Sequence, residues 1–281
     1  MAIEDETWMN YAITDKEFQC FSNLIYQQSG IALSGGKKAL LVSRLSRRLS
    51  ELGLKTFHAY YERVVGEHSD GEFTHMLDLI STNKTDFFRE PRHFEFLRNQ
   101  ILPELQHIKK IRIWSAGCSS GEEPYTIAIT MHDALISPSQ WDCKILASDI
   151  STRVLAKAAS GIYDLERVRD LPGEVIRRHF IREKGERLDT IRVKPHISDM
   201  VVFRRINLMD ERYPIKSRLD VIFCRNVMIY FDRTVQERLL SKFHRYLKPG
   251  GYLFIGHSET LQLGQQHQFY YVEPTIYRKE P

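Results

Sequence analysis

Two rhythms of apolar and polar positions divide the chain. Through about residue 105 the apolar residues recur at helical spacing. In "DKEFQCFSNLIYQQSGIAL", Phe18, Phe21, Leu24 and Ile25 share a face, and the run stops at Ser29-Gly30. "KKALLVSRLSRRLSELG" closes on Gly53. At about 100° per residue, Leu41, Val42, Leu45, Leu49 and Leu52 fall on one arc. Lys37, Arg44, Arg47, Arg48 and Lys55 fall on another, interrupted only by Glu51. "TFHAYYERVV" and "FTHMLDLIS" continue the helical pattern, and "PRHFEFLRNQILPEL" opens on a proline where a first helical turn accepts one.

After that the rhythm alternates. "IRIWSAG" is strand-like, "EEPYTIAITMHDAL" helix-like, "CKILASDI" strand-like, and "TRVLAKAASG" helix-like with a terminal glycine. A βαβα series predicts a parallel sheet with helices on its faces. "RLDTIRVKPHISDMVVFRRINL" breaks the series with short β-type runs, "TIRV" and "VVFRRI", which predict an antiparallel excursion of two or three strands. The alternation resumes with "LDVIFCRNVMIYF", the helix "RTVQERLLSKFHRYL", the turn "KPGG" and the strand "YLFIGHS". No internal repeat or low-complexity tract interrupts it.

Composition adds bounds. The 281 residues suffice for one large domain or a medium domain with a smaller companion, and 42% hydrophobic with 27% charged residues is ordinary for a globular protein. No run of about 18 apolar residues predicts a membrane span. "MAIEDETWMNYAITDKEF" is acidic and lacks the apolar core of a secretory signal. Cys20, Cys118, Cys143 and Cys224 are scattered without a C-x-x-C pair, which argues against a zinc site or a disulfide framework and for reduced thiols in a cytoplasm. A net charge of 40 − 36 = +4 is too mild to argue for nucleic acid by itself.

The chemistry concentrates at strand ends. Gly117-Cys-Ser-Ser-Gly121 follows a strand and opens a helix, where backbone approaches a ligand closely. It is neither a P-loop, since no Lys-Ser/Thr follows, nor G-x-G-x-x-G, since Ser119 holds the second glycine position. An ordinary strand-to-helix turn is the plain alternative. Asp149 ends the next strand, placed either to accept from both ribose hydroxyls or to cap the following helix. Glu122 and Glu123 are either dipole partners of the helix start or a poor neighbourhood for phosphate. A nucleoside ligand with an amino group and no phosphate suits them, and S-adenosylmethionine has that make-up. "STNKTDFFRE" gathers Asn83, Thr85, Asp86 and Arg89 beside two phenylalanines, and "VIFCRNVMIYFD" ends a strand in Arg225-Asn226 with Tyr230 close behind. A buried Arg225 without a task would be costly.

Taken in order, "NKTDFFRE", "IWSAGCSSGEEPYTIAI", "ASDIS", "GIYDLERVRDLP", "RINLMDERYP", "FCRNVMIYFD" and "LKPGGYLFIGHSE" make the sequence resemble the bacterial chemotaxis receptor methyltransferase family (CheR-type), over essentially residues 14 to 278. The resemblance implies an α/β fold: a Rossmann-like S-adenosylmethionine-dependent methyltransferase domain over residues 86–281, with a small antiparallel β-subdomain at about 175–210, preceded by a small all-helical domain over 1–85. It implies transfer of a methyl group from S-adenosylmethionine to glutamates of methyl-accepting chemotaxis receptors, giving glutamyl methyl esters and S-adenosylhomocysteine. By motif position, Asn83, Thr85, Arg89, Glu123, Asp149, Asn207, Leu208, Arg225 and Asn226 match the family's cofactor-contacting residues. Asp149 would hold the ribose, Glu123 the methionine end, and Asn207 and Leu208 the adenine, while Arg89 and Tyr230 would lie near the transferable methyl.

The resemblance further implies that Lys37, Arg44, Arg47 and Arg48 meet the acidic methylation helix of the receptor's cytoplasmic domain. A solvated helix face is the other reading of that stripe. Some members dock a C-terminal receptor peptide on the β-subdomain. The loop "REKGERLDT" here holds one glycine, Gly185, where peptide-docking members tend to be glycine-rich. Neither a nucleic-acid partner, nor membrane insertion, nor a metal is implied. A glutamate with a pKa near about 4.3 is already ionised at pH 7, so an in-line displacement needs positioning rather than a general base. Two other readings stay open: a nucleic-acid or small-molecule methyltransferase on the same fold, and a non-catalytic S-adenosylmethionine sensor.

Overall fold

A computed structural model describes residues 11–33, 35–66, 71–81, 83–135, 137–182, 189–259 and 269–281. The chain forms two compact units that divide between Thr82 and Asn83 rather than after Thr85. The reason is local. Ser119 Oγ donates to the Asn83 carbonyl at 2.9 Å and the Phe88 amide donates to Thr126 Oγ1 at 3.1 Å, so this segment makes its bonds with the second unit.

The first unit holds α1 (Asp15–Ser29), α2 (Lys38–Glu51), α3 (Phe57–Val65) and α4 (Glu72–Ile80). Thr14 and Glu17 form a reciprocal capping box that starts α1, and Gly30 ends it in the left-handed region at φ 74°. The apolar arc of α2 packs as its periodicity predicts, with Leu41, Leu45 and Leu49 buried. Phe21 meets Phe57 edge-on and stacks on Tyr60, both at 6.1 Å between centroids. The basic arc is less free than its pattern implies. Arg48 bridges to the buried Glu72 at 2.6 Å and to Glu51 at 3.3 Å, and the Tyr60 hydroxyl also donates to Glu72. A carboxylate buried on α4 needs a cation, so Arg48 ties α2 to α4. Arg44 donates to the Leu79 carbonyl, and Arg47 pairs along α2 with Glu51.

The second unit begins with one helical run in two halves, α5 (Arg92–Phe96) and α6 (Leu102–Glu104), joined by a π turn over Leu97–Ile101. Pro103 has no N–H to give the preceding turn, and the widened turn accommodates it. Alternation then follows: β1 (Lys110–Ala116), α7 (Glu122–Ala134), β2 (Asp142–Asp149), α8 (Thr152–Ser160), β3 (Ile162–Asp164), α9 (Gly173–His179), β4 (Phe180–Arg182), β5 (Thr190–Val193), α10 (Pro195–Ser198), β6 (Val201–Arg205), β7 (Leu219–Cys224), α11 (Arg233–Tyr246), β8 (Leu247–Ile255), β9 (Phe269–Glu273) and β10 (Ile276–Lys279). The main sheet runs β6-β2-β1-β7-β8-β10-β9. Its first five strands are parallel, and β10 and β9 are antiparallel. Both faces are covered, one around Ile113, Phe223, Phe254 and Ile127, the other around Trp114, Ile222, Leu239 and Phe243.

The small antiparallel sheet overlaps the 175–210 expectation but begins earlier and ends sooner: β4 and β5 lie within those bounds, and β3 precedes them. It has three strands in the order β3-β5-β4, spanning Ile162 to Val193. "VVFRRI" is not part of it: Val201–Arg205 lies parallel to β2, with Asp149 opposite Arg205. An edge strand leaves one side in solvent and reads polar in alternation, which mimics an antiparallel strand. β3 was hidden because three residues carry no period. The Gly185 segment lies outside the described residues. Among the described residues, no helix is long and apolar enough to cross a membrane.

Candidate active site

The order of the parallel strands reverses between β1 and β7, which is where open α/β sheets place a ligand crevice. The residues singled out in the sequence converge on this C-terminal edge. Gly117 follows β1, Asp149 ends β2, Asn207 and Leu208 follow β6, and Arg225 and Asn226 follow β7. The Ile206 amide donates to the Asp149 carbonyl at 3.2 Å, which sets Asn207 beside the end of β2. Asn207 Oδ1 accepts from the Met209 amide, and Leu208 is buried.

The turn after β1 is built by its own backbone. The amides of Gly117 and Cys118 both donate to the Ser148 carbonyl at 2.8 Å. Asp149 then accepts from the Ser119 amide at 2.9 Å and the Ser151 amide at 3.0 Å, one on each carboxylate oxygen. The helix-cap reading of Asp149 does not hold, because Ser151 caps α8 by accepting from Val154. Gly117 and Gly121 have φ 88° and 97°, where a side chain is strained. A Cβ on Gly121 would stand 2.9 Å from the Ala158 methyl and from the Tyr163 hydroxyl, and one on Gly117 would collide with Val227. The protein's own packing therefore demands both glycines, whatever ligand approaches.

The two neighbouring acids have different fates. Glu122 is fully buried, 2.6 Å from Arg167 and accepting from Ser120 Oγ at 2.7 Å. Arg167 also donates to the Thr85 carbonyl and pairs with Asp86, and the Tyr163 hydroxyl donates to the Ser120 carbonyl. Glu122 is thus an internal strut that joins the turn, the Thr85 segment and the small sheet. Glu123 faces the other way. It accepts from Ser115 Oγ at 2.7 Å and from Arg225 Nη1 at 3.2 Å, and burial pushes its carboxyl up against the pull of Arg225.

Arg225 is buried, with 2% of its side chain exposed, and spans Glu123 and Glu90, the latter at 3.0 Å. Its guanidinium also donates to the Arg89 carbonyl and stands 5.3 Å from the Phe94 ring centroid. Against the cost of burial, Arg225 and the His257 amide hold Glu90 below the usual carboxylate range. His93 touches the same group. Its Nε2 is 2.7 Å from Thr275 Oγ1, and burial together with Arg225 pushes its pKa down to about 3. One guanidinium thus serves two carboxylates, which leaves a net negative charge in a low-dielectric setting. Such a site repels phosphate and favours a cationic group.

Asn83 and Arg89 are half-buried and Thr85 is buried, all on the segment laid across this edge. Tyr230 is half-buried in a single 3-10 turn, Met228–Tyr230. Lys37, Arg44, Arg47 and Arg48 belong to the first unit and are not part of this constellation. Phe88, Glu90, Ser119 and Asn226 all carry positive φ, between 50° and 59°, and surround the constellation. Strain of about 1–3 kcal/mol per such residue persists where surrounding bonds fix it.

Sequence reasoning missed Glu90, Tyr163, Arg167 and Glu259. Glu259 is buried and accepts from the amides of Asn226 at 2.9 Å, Gly256 at 2.5 Å and Ile229 at 3.2 Å, so one carboxylate ties the ends of β7 and β8. The available signal was position. Glu90 and Glu259 each close a motif, and Arg167 stands inside "GIYDLERVRDLP". Their partners were unreadable.

Comparison with known proteins matches both units. The CheR methyltransferase all-alpha domain matches residues 16–81, and the CheR methyltransferase SAM-binding domain matches residues 83–278. The chain is 42% identical over 278 residues to a chemotaxis protein methyltransferase of Borreliella burgdorferi, covering 96% of each. It is also 42% identical over 250 residues to that of Salmonella typhimurium, covering 89% of this chain and 85% of the relative.

Proposed function

The chain belongs to the CheR methyltransferase family, and from that membership we propose that it methylates glutamate side chains of chemotaxis receptors, yielding glutamyl methyl esters. At the coarser level it is a chemotaxis protein methyltransferase with an S-adenosylmethionine-binding domain. The observation that supports the cofactor in this reading is the acid-lined turn: Asp149 on the amides of Ser119 and Ser151, with Glu123 and Arg225 beside it.

The donor set fits S-adenosylmethionine. Carboxylates outnumber cations at this edge, since the one guanidinium of Arg225 answers both Glu90 and Glu123 while Asp149 adds a third acid, which suits an ammonium and a sulfonium and disfavours a pyrophosphate. Asp149, fixed through two amides, would hold the ribose. Glu123 would take the ammonium that shares its carboxylate with Arg225. Asn207 and Leu208 would flank the base, and Asn83, Thr85, Arg89 and Asn226 would complete the wall. When bound there, the cofactor supplies an electrophilic methyl group.

The remaining work falls to positioning. Arg225 is committed to Glu90 and Glu123, so it shapes the site and does not act on substrate. Arg89, whose guanidinium donates to the Lys84 carbonyl at 2.9 Å, and Tyr230 would orient the substrate carboxylate in line with the methyl. Orientation of this kind contributes up to roughly 7–11 kcal/mol in favourable cases. No residue need remove a proton, because the glutamate is ionised at pH 7. Receptor binding through Lys37, Arg44 and Arg47, with Arg48 behind them, and a cytoplasmic setting complete the proposal.

The test is transfer of labelled methyl from S-adenosylmethionine to the cytoplasmic domain of receptors from the same organism, beside RNA, DNA and buffer controls. A base-labile product on receptor is expected. Base-stable label, or label on nucleic acid alone, overturns the reading, as does tight cofactor binding with no turnover on any receptor.

A further inference from the structure

Three histidines from three elements meet near the C-terminal end of α7, the helix whose other end opens at the glycine turn. His132 lies in the last turn of α7, His179 closes α9 and His196 sits in α10. One nitrogen from each lies within 4.8 Å of the others, and the ring centroids are 4.7 to 5.4 Å apart. His179 Nδ1 and His196 Nε2 are 3.1 Å apart. Two imidazole nitrogens at about 2.0–2.1 Å from one tetrahedral Zn²⁺ stand about 3.3–3.4 Å from each other, so this pair is within about 0.3 Å of the spacing of two ligands.

The surroundings are those of a ligand set. His179 Nε2 is 2.9 Å from Asp133 Oδ1. A carboxylate accepts, so Nε2 carries the proton and Nδ1 presents its lone pair to the cluster, as in carboxylate–histidine–metal arrangements. Arg178 holds that carboxylate from the far side at 3.2 Å. His132 Nδ1 is buried without a hydrogen-bond partner, 3.6 Å from Asp133 Oδ1. His179 is fully buried and fixed, whereas His196 is exposed and gives the site an entry path.

We infer that His132, His179 and His196 form a binding site for a divalent transition-metal ion of the imidazole-preferring class, Zn²⁺ being the first-row representative. Closing the set requires an inward movement of at most about 1.4 Å between any two nitrogens. Three protein ligands leave the fourth position to water. The ion takes the place of the proton between His179 Nδ1 and His196 Nε2, and His196 stays neutral by carrying that proton on its Nδ1 instead. It cross-links α7 to the two short helices that flank the small antiparallel sheet. The scattered cysteines argued against zinc, but they bear only on thiolate sites, and histidines at 132, 179 and 196 have no local spacing that would announce them.

The experiment uses the full chain, untagged and stripped with chelator, titrated with Co²⁺ as a spectroscopic probe and then with Zn²⁺. One equivalent of Co²⁺ should develop the visible absorption of a four- or five-coordinate site, and Zn²⁺ should erase it. His196→Ala changes an exposed side chain and should weaken binding at least about tenfold, and Asp133→Asn by about 10–100-fold. Circular dichroism of the metal-free variants checks that each is folded. His257→Ala serves as a control, because Glu90, His93 and His257 are a second group close enough to hold an ion. Unchanged binding in that control is expected. The inference is overturned if the wild-type chain takes up no Co²⁺, if folded His196→Ala binds as well as wild type, or if His257→Ala abolishes the signal.

Discussion

Arg225 and Glu123 meet at 3.2 Å across 102 residues of chain, and the same guanidinium reaches Glu90 across 135. The contact joins the end of β7 to the first turn of α7 at the point where the strand order reverses. It makes Arg225 the counter-charge of a buried acidic site.

Arg225→Met strands two buried carboxylates. Breaking one side of a buried pair costs about 3–5 kcal/mol, and urea denaturation should show a loss of that size. Combining it with Glu123→Gln should cost less than the sum of the two changes. Strict additivity would show that the two groups are uncoupled.

The adjacent acids should separate by readout. Glu122→Gln removes the counter-ion of Arg167 inside the fold, with a stability loss of about 1–3 kcal/mol and little change in cofactor affinity per folded molecule. Glu123→Gln should retain the Ser115 hydrogen bond but weaken S-adenosylmethionine binding by about tenfold, near 1.4 kcal/mol by calorimetry. The opposite assignment of effects would contradict the roles given to them.

Gly121→Ala places a methyl group at φ 97° against Ala158 and Tyr163. The left-handed backbone alone costs about 1–2 kcal/mol, and the contact adds to it. Thermal melting should show a drop larger than Gly35→Ala, where a Cβ meets nothing within 4 Å.

His93 gives the acid limb a definite sign. Its pKa is about 3 in the folded protein against an ordinary 6.5, so the unfolded chain binds the extra proton between those values. The contribution is fully present above 6.5 and is lost as pH falls toward 3, by up to about 1.4 kcal/mol per pH unit. His93→Gln should flatten the dependence of stability on pH between 6.5 and 5. An unchanged slope would assign the acid limb to other groups.

Local and periodic features follow from neighbouring residues alone. The capping box at Thr14, the left-handed stop at Gly30, the buried arc of Leu41, Leu45 and Leu49, and the strand–turn–helix from Lys110 to Ala134 are written in neighbours a few residues apart. The family motifs also fixed which strand ends carry polar groups. Tertiary structure decided the partners. That Glu122 goes to Arg167 and Glu123 to Arg225, that Arg48 spends its charge on Glu72, and that Val201–Arg205 joins the main sheet follow from distances between remote segments. The same holds for Glu259, whose three amide donors lie on two different strand ends, and for the three histidines. A period records which face of an element is buried, but not which charge waits on the other side of that surface. Burial is what turns such a pairing from a marginal surface contact into an interaction of several kcal/mol.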